Sequence, residues 1–138
     1  MKVLVDTNVV LDVLLDRQPF SLPAAALLSL VEKKTFEAAL GATTLTTIHY
    51  LFSKAAGKKK ADGAVSKLLG IFEIAAVDAS VLDAAIRLAL PDFEDAVLVE
   101  AARNAGADAI VTRDLTGFKK SDLPAYSPEE FLAALEST

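Results

Sequence analysis

Residues 2–15 read KVLVDTNVVLDVLL, and this stretch decides the fold. Lys2 to Val5 is a β-branched apolar run that breaks at Asp6, the pattern of a short strand buried on both faces. Val9, Val10, Val13 and Leu14 then recur at helical spacing, with Asn8 or Thr7 available as the cap. The same pattern returns late in the chain, where Ala109 to Thr112 is a second buried strand that runs into Asp114. A strand buried on both faces belongs inside a sheet covered by helices, so these two runs place the chain in the α/β class.

The segments between them fit. Ser21, with Pro23 just inside, opens a helix rich in alanine and leucine that runs to about Lys34, and Ala38 to Leu40 forms a short apolar segment before Gly41. Thr44 is the expected cap of a helix striped by Leu45, Ile48, Leu51 and Phe52 that ends near Gly57. Lys58 begins another helix, Glu73 to Val77 reads as a strand, and Ser80 opens a helix that Pro91 stops. Asp92 to Asn104 is helical and Gly106 closes it. Ala125 and Tyr126 suit an edge strand, and Ser127-Pro128-Glu129-Glu130 carries a capping box for a last helix. Strands alternating with helices predict parallel strands joined by crossovers: a three-layer α/β/α sandwich around a central parallel sheet, in one domain spanning residues 1–138.

Composition narrows the chemistry. The chain has 138 residues, 53% of them hydrophobic, enough for one core of ordinary size. It has no cysteine and a single histidine, His49, which excludes a disulfide framework, a thiolate metal site and a multi-histidine zinc site. No uncharged apolar run reaches the roughly 18 residues of a membrane span, and Asp6 and Asp12 interrupt the N-terminal stretch where a signal peptide would be apolar. A cytoplasmic protein without a membrane partner is expected. Nineteen acids against fourteen bases give a net charge of −5, which argues against a broadly basic surface and leaves carboxylates as the available chemistry.

The carboxylates fall at informative places. Ligands of open parallel sheets bind outside the carboxyl ends of the strands, where Asp6 and Asp114 stand, although each also suits a capping role. Asp95 lies three and seven residues before Leu98 and Ala102, on the core-facing stripe of its helix, where an unpartnered carboxylate is costly. Asp92 is an N-cap or a fourth acid, and Glu94 points away as a solvated first-turn acid. If the two strands are neighbours, three or four acids converge, and either Arg113 neutralises them as a salt bridge or a divalent ion does. Mg2+ or Mn2+ fits such hard oxygen ligands, and would polarise a phosphodiester and activate a water. Asn8 stands where a haloacid-dehalogenase-type phosphatase would need a second aspartate, which disfavours a phosphatase.

Three runs, VLVDTNVVLDVLLDR, PDFEDAVLVEAARNAGADAIVTRD and GFKKSDLPAYSPEEFL, together resemble the PIN domain family over essentially the whole chain. The nearest branch is the small stand-alone bacterial and archaeal proteins that include toxins of the VapC type. The resemblance implies a parallel sheet flanked by helices, and strand-end acids that bind Mg2+ or Mn2+ to cut RNA. By position, Asp6, Asp95 and Asp114 match the metal acids, and Asn8 and Thr112 match polar support positions. The family usually offers another acid where this chain has Thr47, so a hydroxyl takes that place and Asp92 is the candidate substitute. For a toxin the resemblance also implies an antitoxin that blocks the site, for which an arginine inserted among the acids is a natural device, and the family often forms homodimers.

An acidic protein that cuts RNA needs a local basic face. Lys54, Lys58, Lys59, Lys60 and Lys67 fall within fourteen positions, either as a solvated helix face or as a phosphate-attracting rim. Arg113, Lys119 and Lys120 would form the opposite rim, with Tyr50 as a stacking residue and Phe118 in the core. His49 reads as a packed, satisfied histidine. The expected function is a metal-dependent endoribonuclease; the alternative is a PIN protein that binds nucleic acid with little or no turnover because Thr47 has weakened its metal site.

Overall fold

The computed structural model describes residues 1–137. Its elements follow in the order β1 (Lys2–Val5), α1 (Thr7–Leu14), α2 (Ser21–Glu32), β2 (Glu37–Gly41), α3 (Ala42–Ala56), α4 (Lys58–Ile71), β3 (Glu73–Ala75), α5 (Ala79–Arg87), α6 (Phe93–Asn104), β4 (Ala109–Val111), a 3-10 turn (Thr116–Phe118), β5 (Ala125–Tyr126) and α7 (Pro128–Glu136). All strand pairs are parallel, in the order β3-β2-β1-β4-β5. The predicted parallel sheet between helix layers is therefore present, and β1 and β4 are neighbours, with Val5 opposite Val111.

Strand pleating divides the core. Val3, Val5, Leu40 and Val111 face one layer, packed with α1, α2, Ile48, Leu68 and Phe131, whereas Leu4, Ala39 and Ile110 face the other, packed with α5 and α6. The connections run from β1 through β2 to β3 on one side, then cross to β4 and β5 on the other. The carboxyl ends of β1 and β4 thus meet at the switch point, where open sheets leave a crevice. Helix α6 comes unusually close to this end of the sheet: a Cβ on Gly41 would stand 2.6 Å from Leu98 Cδ2. A larger residue at position 41 would have to displace the buried Leu98 side chain.

Several boundaries differ from the sequence reading. Asp6, rather than Thr7 or Asn8, caps α1 by accepting from the Thr7 N–H, because β1 ends at Val5 and the helix begins at Thr7. Thr44 does not cap α3. The helix begins at Ala42 directly from β2, with Gly41 at the cap, and Thr44 lies buried a turn inside it. Asp78, not Ser80, caps α5 by accepting from the Val81 N–H. That helix ends at Arg87 before Pro91 is reached, and the chain reverses through Ala89 at φ 59°. Strands β3 and β4 stop at Ala75 and Val111, shorter than read, since their partners β2 and β1 end opposite them at Gly41 and Val5 and pass into helices. The capping box of α7 is formed by Ser127 and Glu130 as expected. Among the described residues no helix is long and apolar enough to cross a membrane.

Candidate active site

The crevice holds a cavity of about 270 Å3 lined by Asp6, Thr7, Asn8, Leu11, Thr47, Leu51, Asp92, Glu94, Asp95, Leu98 and Asp114. Five of these are acids and none is basic, so the structure gathers Asp6, Asp92, Asp95 and Asp114 around one space. Glu94, read from sequence as pointing away, is exposed but also lines the cavity, because it sits in the first turn of α6 beside its N-terminus.

Asp6 is the most rigidly held. It is buried, its Oδ1 accepts from the Thr7 N–H at 2.8 Å, and its Oδ2 accepts from the Thr112 hydroxyl at 2.8 Å. Burial pushes its carboxyl upward, opposed by the bonds from Thr112 and Thr7. Thr112 is fully buried and turns its hydroxyl oxygen to a second task, accepting from the Asp114 N–H at 2.9 Å. One threonine side chain therefore ties the strand-end acid of β1 to the loop after β4. Thr112 is the position that the resemblance marks as polar support, and its side chain makes both of these bonds.

Asp95 is half-buried and pushed up to about 7, first by burial and then by the negative charges of Asp6, Asp92, Asp114 and Glu94. Asp92 caps α6, its Oδ1 accepting from the Asp95 N–H at 3.3 Å. Asp114 Oδ1 accepts from the Gly117 N–H at 3.2 Å. Gly117 also keeps a space open: a Cβ there would lie 2.8 Å from Asp114 Oδ2 and 2.8 Å from Asp95 Oδ2. A side chain of any size would fill the gap between those two carboxylates.

Two side chains beside the acids have other partners. Arg113 forms no salt bridge with the cavity acids, and its charge lowers Asp6 only as the smallest of the influences on that carboxyl. Its Nε and Nη2 donate to Asp12 at 2.8 and 3.3 Å, because α1 brings that buried carboxylate against the loop after β4. Asn8 lines the cavity without bonding to an acid; its Oδ1 accepts from Arg17 Nη1 at 3.3 Å, the helix having turned its amide toward the rim. Sequence reasoning missed Asp12, Arg17 and the pairing of Thr7 with the buried Thr44, whose hydroxyls lie 2.8 Å apart. An acid between Leu11 and Val13 on an apolar helix was the one available signal.

Of the basic cluster, Lys58, Lys59 and Lys60 are exposed on α4 outside the cavity lining. Lys58 pairs with Asp62 at 2.7 Å, and the same carboxylate bonds to His49 Nε2 at 2.7 Å, so the histidine ring is satisfied as expected. Tyr50 is exposed beneath Lys54 Nζ at 4.8 Å, and Phe118 is in the core.

Among the described residues no group of three or more acids, cysteines or histidines stands close enough together to hold a metal ion as it is. The donor set nevertheless suits a divalent ion. It is all hard oxygen, it has no internal counter-charge, and Gly117 leaves open a gap between Asp95 and Asp114 that a Cβ would fill.

The sequence model of the PIN domain matches residues 2–116. A ribonuclease named VapC1 from Aquifex aeolicus is 27% identical over 135 residues, covering 94% of this chain and 92% of that protein. Among solved structures, VapBC2 from Rickettsia felis bound to a promoter DNA fragment matches with a TM-score of 0.71 at 17% identity, over 92% of this chain and 98% of that one. VapC20 of Mycobacterium tuberculosis, a toxin that cleaves the sarcin-ricin loop, matches with a TM-score of 0.65 at 17% identity, over 78% and 86%. The solved structures share the fold.

Proposed function

This chain belongs to the PIN domain family, and on that premise we propose that it is a ribonuclease that hydrolyses RNA phosphodiester bonds at the acid-lined cavity, as the toxin of a toxin-antitoxin pair. The carrying observation is the cavity itself: acids from three separate elements face one space with no basic side chain among them, and Asp95 is pushed up to about 7, first by burial and then by their charges. The naming of the Aquifex relative as a ribonuclease and of structural neighbours as toxins with partner proteins supports the reading.

Asp6, Asp95 and Asp114 would hold Mg2+ or Mn2+, with Asp92 beside them. When bound, the ion supplies positive charge that offsets the acids, polarises the phosphodiester and lowers the pKa of an attacking water. The chain's residues prepare for this. Thr7 and Thr112 fix both oxygens of Asp6, so that its lone pairs are oriented before any ligand arrives. Thr112 also sets the Asp114 backbone, and Asp92 starts α6 so that Asp95 projects from its first turn. In this reading the nucleophile is a water oriented among the acids, and the carboxylates act as ligands rather than as covalent nucleophiles. An antitoxin would silence the site by presenting a cation to the acids.

Incubation of the purified protein with a mixed RNA pool, with and without Mn2+, tests the proposal. Wild type is expected to cut only with the ion, and Asp95→Asn not to cut. Absence of cleavage by wild type in both Mg2+ and Mn2+ overturns it. Thr47 in the lining favours a second reading, a PIN protein that binds nucleic acid without turnover. Calorimetry with Mn2+ separates the two, since that reading expects no binding in the millimolar range.

A further inference from the structure

We propose that Asp12 is a positioning residue that builds a two-arginine phosphate clamp at the rim of the acid cavity, and that this clamp grips the RNA backbone beside the scissile phosphate. The inference rests on the ribonuclease reading above and names how that site holds its substrate.

Asp12 is 2% exposed, on the one helix that also carries Asn8 of the cavity lining, and the proposed cleavage chemistry makes no use of it. A carboxylate so buried needs strong partners, and it has two. Arg113 engages it side-on through Nε and Nη2, at 2.8 and 3.3 Å. Arg17 Nη1 stands 3.5 Å from its Oδ1 and donates to Asn8 Oδ1 at 3.3 Å. The Arg113 guanidinium is also laid over the Phe20 ring, 4.3 Å from its centroid. Carboxylate on one edge and aromatic face beneath fix its plane, as a fork for phosphate requires.

Both arginines keep donors to spare. Their side chains remain 31% and 33% exposed, and the Nη1 of Arg113 and the Nη2 of Arg17 carry no partner among the described residues. One carboxylate against two guanidiniums leaves the cluster with a net positive charge. Its place is informative: Arg113 lies between Thr112, which holds Asp6, and Asp114, which lines the cavity, while Asn8 joins Arg17 to that same lining. An acid-lined cavity repels a nucleic-acid backbone, and this cluster puts planar, bidentate donors beside it.

The test turns on a sign. Asp12→Asn removes a negative charge from an acidic protein, so general electrostatics predicts tighter RNA binding; a clamp that depends on Asp12 predicts weaker binding. Binding of a fluorescein-labelled single-stranded RNA pool is measured across NaCl concentration in the Asp95→Asn parent, and steady-state cleavage in the otherwise wild-type chain. Asp12→Asn, Arg113→Lys and Arg17→Ala are each expected to weaken binding about tenfold. Arg17→Ala should also flatten the log-log salt slope by about 0.7, one phosphate contact, whereas Arg113→Lys loses the planar fork but keeps its charge and should leave the slope nearly unchanged. In cleavage, KM should rise with kcat little changed. Arg113→Lys and Arg17→Ala change half-exposed side chains, so they read the clamp even if Asp12→Asn folds poorly. If the parent binds RNA and the wild type cuts it, yet these variants bind as tightly as the parent and Arg17→Ala leaves the slope unchanged, the clamp is overturned and the ribonuclease reading stands. A wild type that neither binds nor cuts RNA overturns both.

Discussion

Replacing Asp95 by asparagine should abolish RNA cleavage and at the same time stabilise the ion-free protein. The carboxyl stands in a half-buried position facing Asp6, Asp92, Asp114 and Glu94, and is pushed up to about 7 from an ordinary value of 3.8. A carboxyl so raised binds its proton more tightly in the folded chain than in the unfolded one. The stability this contributes is complete below pH 3.8 and is lost as pH rises through about 7. At about 1.4 kcal/mol per tenfold, a fully buried group with this shift would lose roughly 4 kcal/mol; Asp95 is half in water, and screening reduces the expected loss to about 1–2 kcal/mol. Asparagine keeps the shape and carries no charge at any pH. In EDTA at pH 8, Asp95→Asn should therefore be more stable than wild type by about 1–2 kcal/mol, a rise of roughly 4–8 °C in Tm. At pH 4 the difference should vanish. Adding Mn2+ at pH 8 should reverse the ranking, because only the wild type gains from the ion. Urea melts at pH 4, 6 and 8, with and without Mn2+, supply the measurement. A variant less stable than wild type in EDTA at pH 8, or a difference that does not change with pH, would refute the claim that unrelieved charge sets the state of this site.

Thr112→Val removes the hydroxyl that holds Asp6 and the Asp114 backbone, so calorimetry should show Mn2+ affinity falling about tenfold or more. The melting temperature should fall with it, by an amount matching about 1–3 kcal/mol for the buried groups left unpaired. Gly117→Ala places a methyl 2.8 Å from the Asp95 and Asp114 oxygens, and should cut cleavage and Mn2+ binding at least tenfold while thermal stability changes little. Gly41→Ala drives a methyl to 2.6 Å from Leu98 Cδ2 and should destabilise by about 1–3 kcal/mol, read from a urea melt. Ser127→Ala removes half of the capping box of α7 and should cost about 1 kcal/mol with cleavage unchanged.

Much of the fold was legible because buried parallel strands leave a strong local signature. Lys2–Val5 and Ala109–Val111 are short apolar runs ending just before acids, and periodicity alone places helices between them. Helix starts were less legible. Asp6, Thr7 and Asn8 are all competent caps, and which one serves depends on where β1 stops pairing with β4, a property of the sheet. Thr44 was misjudged for the same reason: β2 passes into α3 with no intervening loop, so the threonine lies inside the helix and bonds to Thr7 of another element.

The layered α/β class, the strand-end placement of Asp6 and Asp114, and the position of Asp95 in the first turn of its helix follow from the local sequence, because burial patterns and capping are local properties of the chain. Only the tertiary structure decided the partners. Arg113 was free to neutralise the acids until α1 set Asp12 against it from 101 residues away. Asn8 faces Arg17, and Glu94 borders the cavity, because of how α1 and α6 are rotated against the sheet. A buried charge takes whichever counter-charge the packing brings within reach, and that choice is made between elements distant in sequence. Here it left the acids facing one another and turned the arginine outward.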